Sequence, residues 1–103
     1  MTNLYDSEDI KKLPKLGAGA PEAWKTFLEF DKAALADGAI PKKYKELMAL
    51  AVALTTQCPY CLEIHKKAAR AAGATPEEMA ETAFVAAALR AGGAVTHGTH
   101  LVD

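Results

Sequence analysis

The sequence is poor in aromatic residues and in excess charge, and it lacks any long apolar run. Aromatics make up 7% of the 103 residues, and 12 basic residues stand against 13 acidic ones. Such a balance leaves nothing to neutralise a phosphate backbone, which excludes a strongly basic nucleic-acid binder. No stretch of about 18 uncharged apolar residues occurs, so neither a transmembrane helix nor a membrane partner is expected. Met1 to Asp9 contain no basic stretch leading into an apolar one. No signal peptide is therefore expected, and the chain reads as cytoplasmic. Two cysteines are too few for a disulfide-stapled mini-scaffold. A hydrophobic fraction of 50% and a charged fraction of 24% argue against intrinsic disorder.

What is abundant is alanine, with 22 copies, and that favours helix. The length fits one domain over 1–103, which should bury roughly 65% of its unfolded surface. Within it we expect a helical N-terminal extension over 1–19 and a core over 20–101. Proline and glycine punctuate the chain. Ile10, Leu13 and Leu16 suggest a weak first helix stopping near Pro14 or Gly17, and Gly17 to Ala20 read as a turn. Pro21 and Pro41 each suit a first helical position. The stripe Trp24, Phe27, Leu28, Ala34, Leu35 follows the first, and Gly38 ends it. Tyr44, Leu47, Met48, Ala51 and Leu54 follow the second at the spacing of a buried face, until Thr55-Thr56-Gln57. A further helix starts at Pro59, capped by Cys58, with Ile64, Ala68, Ala69 and Ala72 inward and Gly73 as its stop. Thr75-Pro76-Glu77-Glu78 is a capping box with proline at the first helical position. Met79, Ala80, Ala83, Phe84, Ala87 and Ala88 then form a stripe, and Gly92-Gly93 ends or kinks the helix. Ala94 to Leu101 add a last turn or two. No segment alternates with period two, so the expected fold class is all-α, a compact bundle of five to six helices.

Cys58-Pro59-Tyr60-Cys61-Leu62-Glu63-Ile64-His65 carries the chemistry. Cys58 at the cap and Cys61 in the first turn meet unpaired backbone N–H groups and the positive end of the helix dipole, which favour a thiolate. Cys61 and His65 share one helix face, where an imidazole can exchange a proton with the thiol. Two intervening residues let the cysteines close a small, labile disulfide ring. Other readings of the same residues are two buried small hydrophobes, a static disulfide, or zinc. For zinc, Cys58, Cys61 and His65 would be joined by His97 or His100. Those two histidines otherwise read as solvated or capping residues at a helix end. On its residues alone, Glu46 is a surface glutamate pairing with Lys42 or Lys43.

The C-x-x-C-x-x-x-H pattern, Glu46 twelve residues before the first cysteine, and the Ala-rich helix running to Gly92-Gly93-Ala94-Val95-Thr96-His97 resemble the carboxymuconolactone decarboxylase superfamily. Within it they resemble the alkylhydroperoxidase (AhpD-like) branch, and the resemblance covers about 20–101. The decarboxylase branch lacks the cysteine pair. The resemblance implies a thiol-dependent hydroperoxide reductase with Cys61, Cys58, His65 and Glu46 as catalytic residues. Glu46 and His65 would deprotonate Cys61, which attacks the peroxide, and Cys58 would resolve the sulfenic acid as a disulfide; Cys58 at the cap feels the helix dipole as strongly, so the exchanged roles stay open. The implied partners are a hydroperoxide substrate and a dithiol donor, lipoyl-type or thioredoxin-like. No cofactor or metal is implied beyond the Cys58–Cys61 disulfide. Tyr60 stands where some relatives carry histidine, and its phenol would line the pocket or simply pack. Relatives assemble as trimers and hexamers, so a homo-oligomer is expected. A general protein disulfide oxidoreductase is the alternative activity.

Overall fold

The computed structural model describes residues 5–103. Among these residues every regular element is helical. A 3-10 helix over Ser7–Lys12 leads into α1 (Leu13–Ala18), followed by α2 (Pro21–Leu35), α3 (Lys42–Thr56), α4 (Pro59–Ala71) and α5 (Pro76–His97). A short 3-10 turn over Gly98–Leu101 follows. The all-α expectation is met.

The core lies where α3 packs on α4 and α5. Leu50, Ala69 and Ala74 are buried there, with Leu47, Leu62 and Met79 packed around them. Alanine at these contacts lets helix backbones approach closely, and Ala69 is fully enclosed. That closeness brings the side chains of α3 and α4 within reach of each other. α2 lies against α1 and α3 and contributes no buried residue.

Several boundaries and faces differ from the sequence expectations. The first helical segment begins as 3-10, and α1 continues through Gly17, so the turn shrinks to Gly19-Ala20. Gly17 is buried against the Trp24 ring, so the missing side chain serves packing. Pro41 is the N-cap of α3 and not its first residue, and the Lys42 N–H is met by Asp37 Oδ1 at 2.7 Å. α3 keeps Thr55 and Thr56 and ends at Gln57, in the left-handed conformation with φ 55°. Gly92-Gly93 neither ends nor interrupts α5. Each glycine costs a helix about 1 kcal/mol, which the surrounding alanines offset.

The inward face of α3 is Glu46, Leu50 and Ala53. Tyr44 and Met48 of the expected stripe are 47% and 52% exposed. Residues 47–54 are apolar all round, so periodicity alone could not orient this helix. In α5 the buried residue is Ala86, whereas Phe84, Ala87 and Ala88 point outward. Ile64 of α4 is likewise exposed rather than inward. Phe27 and Leu28 of α2 are exposed too, and line a cavity.

Candidate functional site

The chain reverses between α3 and α4 through Gln57, which sets Cys58 as the N-cap of α4. The Cys58 N–H bonds back to the Ala53 carbonyl at 3.1 Å, locking the end of α3 to the start of α4. Cys58 is extended, and its Sγ accepts the Cys61 N–H at 3.3 Å. Sulfur here takes the place of the oxygen that usually caps a helix. Both thiols are free and partly buried.

One turn further along α4, His65 Nδ1 meets Glu46 Oε2 of α3 at 2.7 Å. Glu46 is only 2% exposed, and its other oxygen takes Lys42 Nζ at 3.2 Å. A carboxylate only accepts, so with Glu46 ionised beside the Lys42 ammonium the proton sits on His65 Nδ1. Nε2 of the imidazole is then the basic nitrogen. Lys43, the other lysine considered for Glu46, pairs with Glu78 at 3.0 Å instead.

The two thiols are electrostatically unlike. Cys61 donates its S–H to Cys58, and with the Cys61 backbone N–H this holds the Cys58 thiol below its ordinary range. The same hydrogen bond, burial and the neighbouring negative charge push the Cys61 thiol up to about 11. The first proton leaves the pair from Cys58 and the second is retained on Cys61.

Cys61 and His65 open onto a cavity of about 580 Å³. Its apolar wall comes from Ile10, Leu13, Trp24, Phe27, Leu28 and Ile64, and Asp9 and Asp31 also line it. Tyr60 is part of the wall, but its hydroxyl is engaged elsewhere. It lies 3.3 Å from Asp9 Oδ2 and 3.5 Å from the Asp6 N–H, and its ring packs edge-on against Tyr5 at 4.8 Å. Tyr5 in turn donates to Glu63 Oε2 at 2.7 Å. The N-terminal segment is thus pinned over the start of α4.

The structure brings Cys58 beside Cys61 and Glu46 beside His65, and it sets Cys61, His65 and Tyr60 around one cavity. His97, the last residue of α5, and His100 in the following 3-10 turn have tilted rings with centroids 5.7 Å apart. Among the described residues no group of three or more His, Cys, Asp or Glu side chains could hold a metal ion. The zinc grouping of Cys58, Cys61 and His65 with His97 or His100 is therefore not assembled. Sequence reasoning missed Asp9, Ile10, Leu13, Trp24 and Asp31 as cavity residues. Only the tertiary fold brings the N-terminal segment and α2 to the thiols, and no local pattern signals it.

Comparisons with known proteins agree with this architecture. The model of the carboxymuconolactone decarboxylase family matches residues 21–103. Uncharacterised protein 4 in the cox locus of Paracoccus denitrificans is 48% identical over 91 residues, covering 88% of this chain and 79% of that protein. An uncharacterised protein of Cupriavidus necator is 37% identical over 75 residues, covering 73% of this chain and 66% of the other. Among solved structures, an apo carboxymuconolactone decarboxylase family protein from Legionella pneumophila superposes with a TM-score of 0.75 at 38% identity. That match covers 81% of this chain and 75% of the other. A protein from Methanobacterium thermoautotrophicum gives a TM-score of 0.78 at 31% identity, over 84% of this chain and 97% of its own.

Proposed function

The chain belongs to the carboxymuconolactone decarboxylase family, and from that premise we propose that it is a thiol-dependent hydroperoxide reductase of the alkylhydroperoxidase type. The observation that carries this reading is the pairing of buried Glu46 with His65, one helical turn from a cavity-facing member of a free dithiol.

The steps follow from the local chemistry. His65 Nε2, with its tautomer set by Glu46, takes the proton of Cys61. The Cys61 thiolate attacks one oxygen of the hydroperoxide, and the O–O bond breaks. Sulfur gains that hydroxyl as a sulfenic acid, and the alkoxide takes a proton and leaves as an alcohol. Cys58, already biased toward thiolate, attacks the Cys61 sulfur and displaces hydroxide, which is protonated to water. The Cys58–Cys61 disulfide stores the two-electron oxidation. An external dithiol, of lipoyl or thioredoxin-like type, reduces it by exchange and is itself oxidised. Cys61 takes the attacking role because it faces the cavity. Cys58 takes the resolving role because it lies beside Cys61 and its thiol is held below the ordinary range.

The test uses reduced protein and one equivalent of an organic hydroperoxide, with intact mass and free thiols followed in time. Rapid loss of both thiols with a mass decrease of two hydrogens is the expected result. Persistent thiols, or slow overoxidation without a disulfide, would overturn the reading. A protein that ignores hydroperoxides yet exchanges readily with protein disulfides would be a general disulfide oxidoreductase, which the lowered Cys58 thiol also supports.

A further inference from the structure

Resting on the hydroperoxidase reading, we propose that the thiol cavity selects by charge. It takes an apolar hydroperoxide without a carboxylate, and a reducing dithiol without one. Six apolar side chains from the N-terminal segment, α2 and α4 form the cavity wall. The charged side chains among its lining residues are the carboxylates Asp9 and Asp31, and no lysine or arginine joins them. His65 is the one lining group able to carry positive charge, and its Nδ1 is already committed to Glu46.

The two carboxylates differ. Asp9 is matched by Lys12 Nζ at 2.8 Å and by the Tyr60 hydroxyl. Asp31 lines the cavity and has no ion-pair or hydrogen-bond partner among the described residues. An anionic reactant entering here loses water, finds no counter-ion and approaches both Asp31 and the thiol pair's own negative charge. A neutral apolar hydroperoxide loses only water that is unfavourable around it. The volume of about 580 Å³ lies within the roughly 300–1,000 Å³ of ordinary small-molecule pockets, so an aryl or medium alkyl group is accommodated. Asp9, Ile10 and Leu13 precede residue 21, where the family match begins. Part of the cavity wall therefore lies outside the residues matched by the family model.

The test compares iodoacetamide with iodoacetate, which share a reactive carbon and differ in charge. Both are applied to the reduced full-length protein, and alkylation at Cys61 is read by fragment-ion mass spectrometry. The ratio of the two rates is normalised to free cysteine, which cancels differences in thiol reactivity. We expect iodoacetate to be disfavoured on the order of tenfold beyond free cysteine, and Asp31→Lys to remove most of that excess. A ratio equal to that of free cysteine, or one that Asp31→Lys leaves unmoved, overturns the proposal. The second arm oxidises the thiols with cumene hydroperoxide and with its para-carboxylate, and the neutral reagent is expected to react faster by a similar factor. If neither hydroperoxide reacts while the alkylation ratio is as expected, charge selection stands and the hydroperoxidase reading falls. If both react equally fast, the selection falls and the hydroperoxidase reading stands.

Discussion

Glu46 and His65 are 19 residues apart in sequence, yet Oε2 of one lies 2.7 Å from Nδ1 of the other. This contact turns two helices into one proton-handling unit, because α3 supplies the buried acceptor and α4 the imidazole. Glu46→Gln keeps the shape but removes the charge that fixes the imidazole tautomer. We expect the rate of hydroperoxide-driven thiol loss to fall on the order of 100-fold near neutral pH, the usual weight of a general base. Adding His65→Asn should lower it little further, since residues acting as one unit are not additive. Fully additive losses would show that the two act independently.

The dithiol should titrate in two separated steps. One thiolate forms below the ordinary thiol range because the Cys61 S–H and N–H both reach the Cys58 sulfur. The second forms near 11. Ultraviolet thiolate absorbance against pH resolves the steps. Cys61→Ala removes the S–H donor and should move the Cys58 titration upward. Cys58→Ser removes the neighbouring charge and should move Cys61 downward. A single unshifted step in the intact protein would contradict the hydrogen-bonded pair.

Much of this arrangement was legible in the sequence, and the reasons are local. A cap and its helix form within a few residues, so Cys58-Pro59 and Thr75-Pro76-Glu77-Glu78 are readable one-dimensionally, and both cap as expected. The spacing of Cys61 and His65 on one helix face is local as well. Glu46 is different, because Lys42 at i−4 makes it look like a surface residue, and only the packing of α3 on α4, where it meets His65, buries it. The wall contributed by Ile10 and Leu13 depends on where a short extension lands, which periodicity does not encode.

The capping box of α5 supplies a stability prediction. Thr75 Oγ1 accepts the Glu78 N–H at 3.1 Å, and Glu78 Oε1 accepts the Thr75 N–H at 2.9 Å. Thr75→Ala should lower stability by about 1 kcal/mol in denaturant titration. The Glu78 carboxyl is held below its ordinary value, first by the Thr75 N–H and then by Lys43. Its contribution is therefore complete above the unfolded carboxylate range and is lost as pH falls through the folded value. Glu78→Gln should flatten the acid limb of the stability curve. An identical acid limb in the variant would show that this carboxylate adds nothing.

Gly17 links the N-terminal extension to the cavity. A methyl group there would run into the Trp24 ring, which also lines the cavity. Gly17→Ala should therefore displace either α1 or Trp24. Trp24 is the chain's single tryptophan, so its fluorescence reports this directly. We expect a red-shifted emission, easier quenching by acrylamide and faster Cys61 alkylation by bulky maleimides. Unchanged emission together with unchanged alkylation would mean that the extension does not shape the cavity.

The outward stripe of α5 bears on assembly. Phe84, Ala87, Ala88, Ala91 and Val95 recur at helical spacing, as a buried face does. Within one chain they face outward, with Phe84 76% and nearby Leu89 68% exposed. An apolar stripe that the described residues leave uncovered is the kind of surface by which subunits associate. Small alanines between larger residues also suit close helix-to-helix contact. We propose that copies of the chain meet through this face, as the expected homo-oligomer requires. Light scattering should give a mass that is a whole multiple of the chain's at micromolar concentration. Phe84→Lys with Leu89→Lys should reduce it to one chain, since two charges on each contact face repel and lose water on burial. Both side chains are largely exposed, so helicity by circular dichroism should persist in the dissociated protein. A wild-type mass of one chain would leave the stripe without a subunit to cover it and reject this assembly.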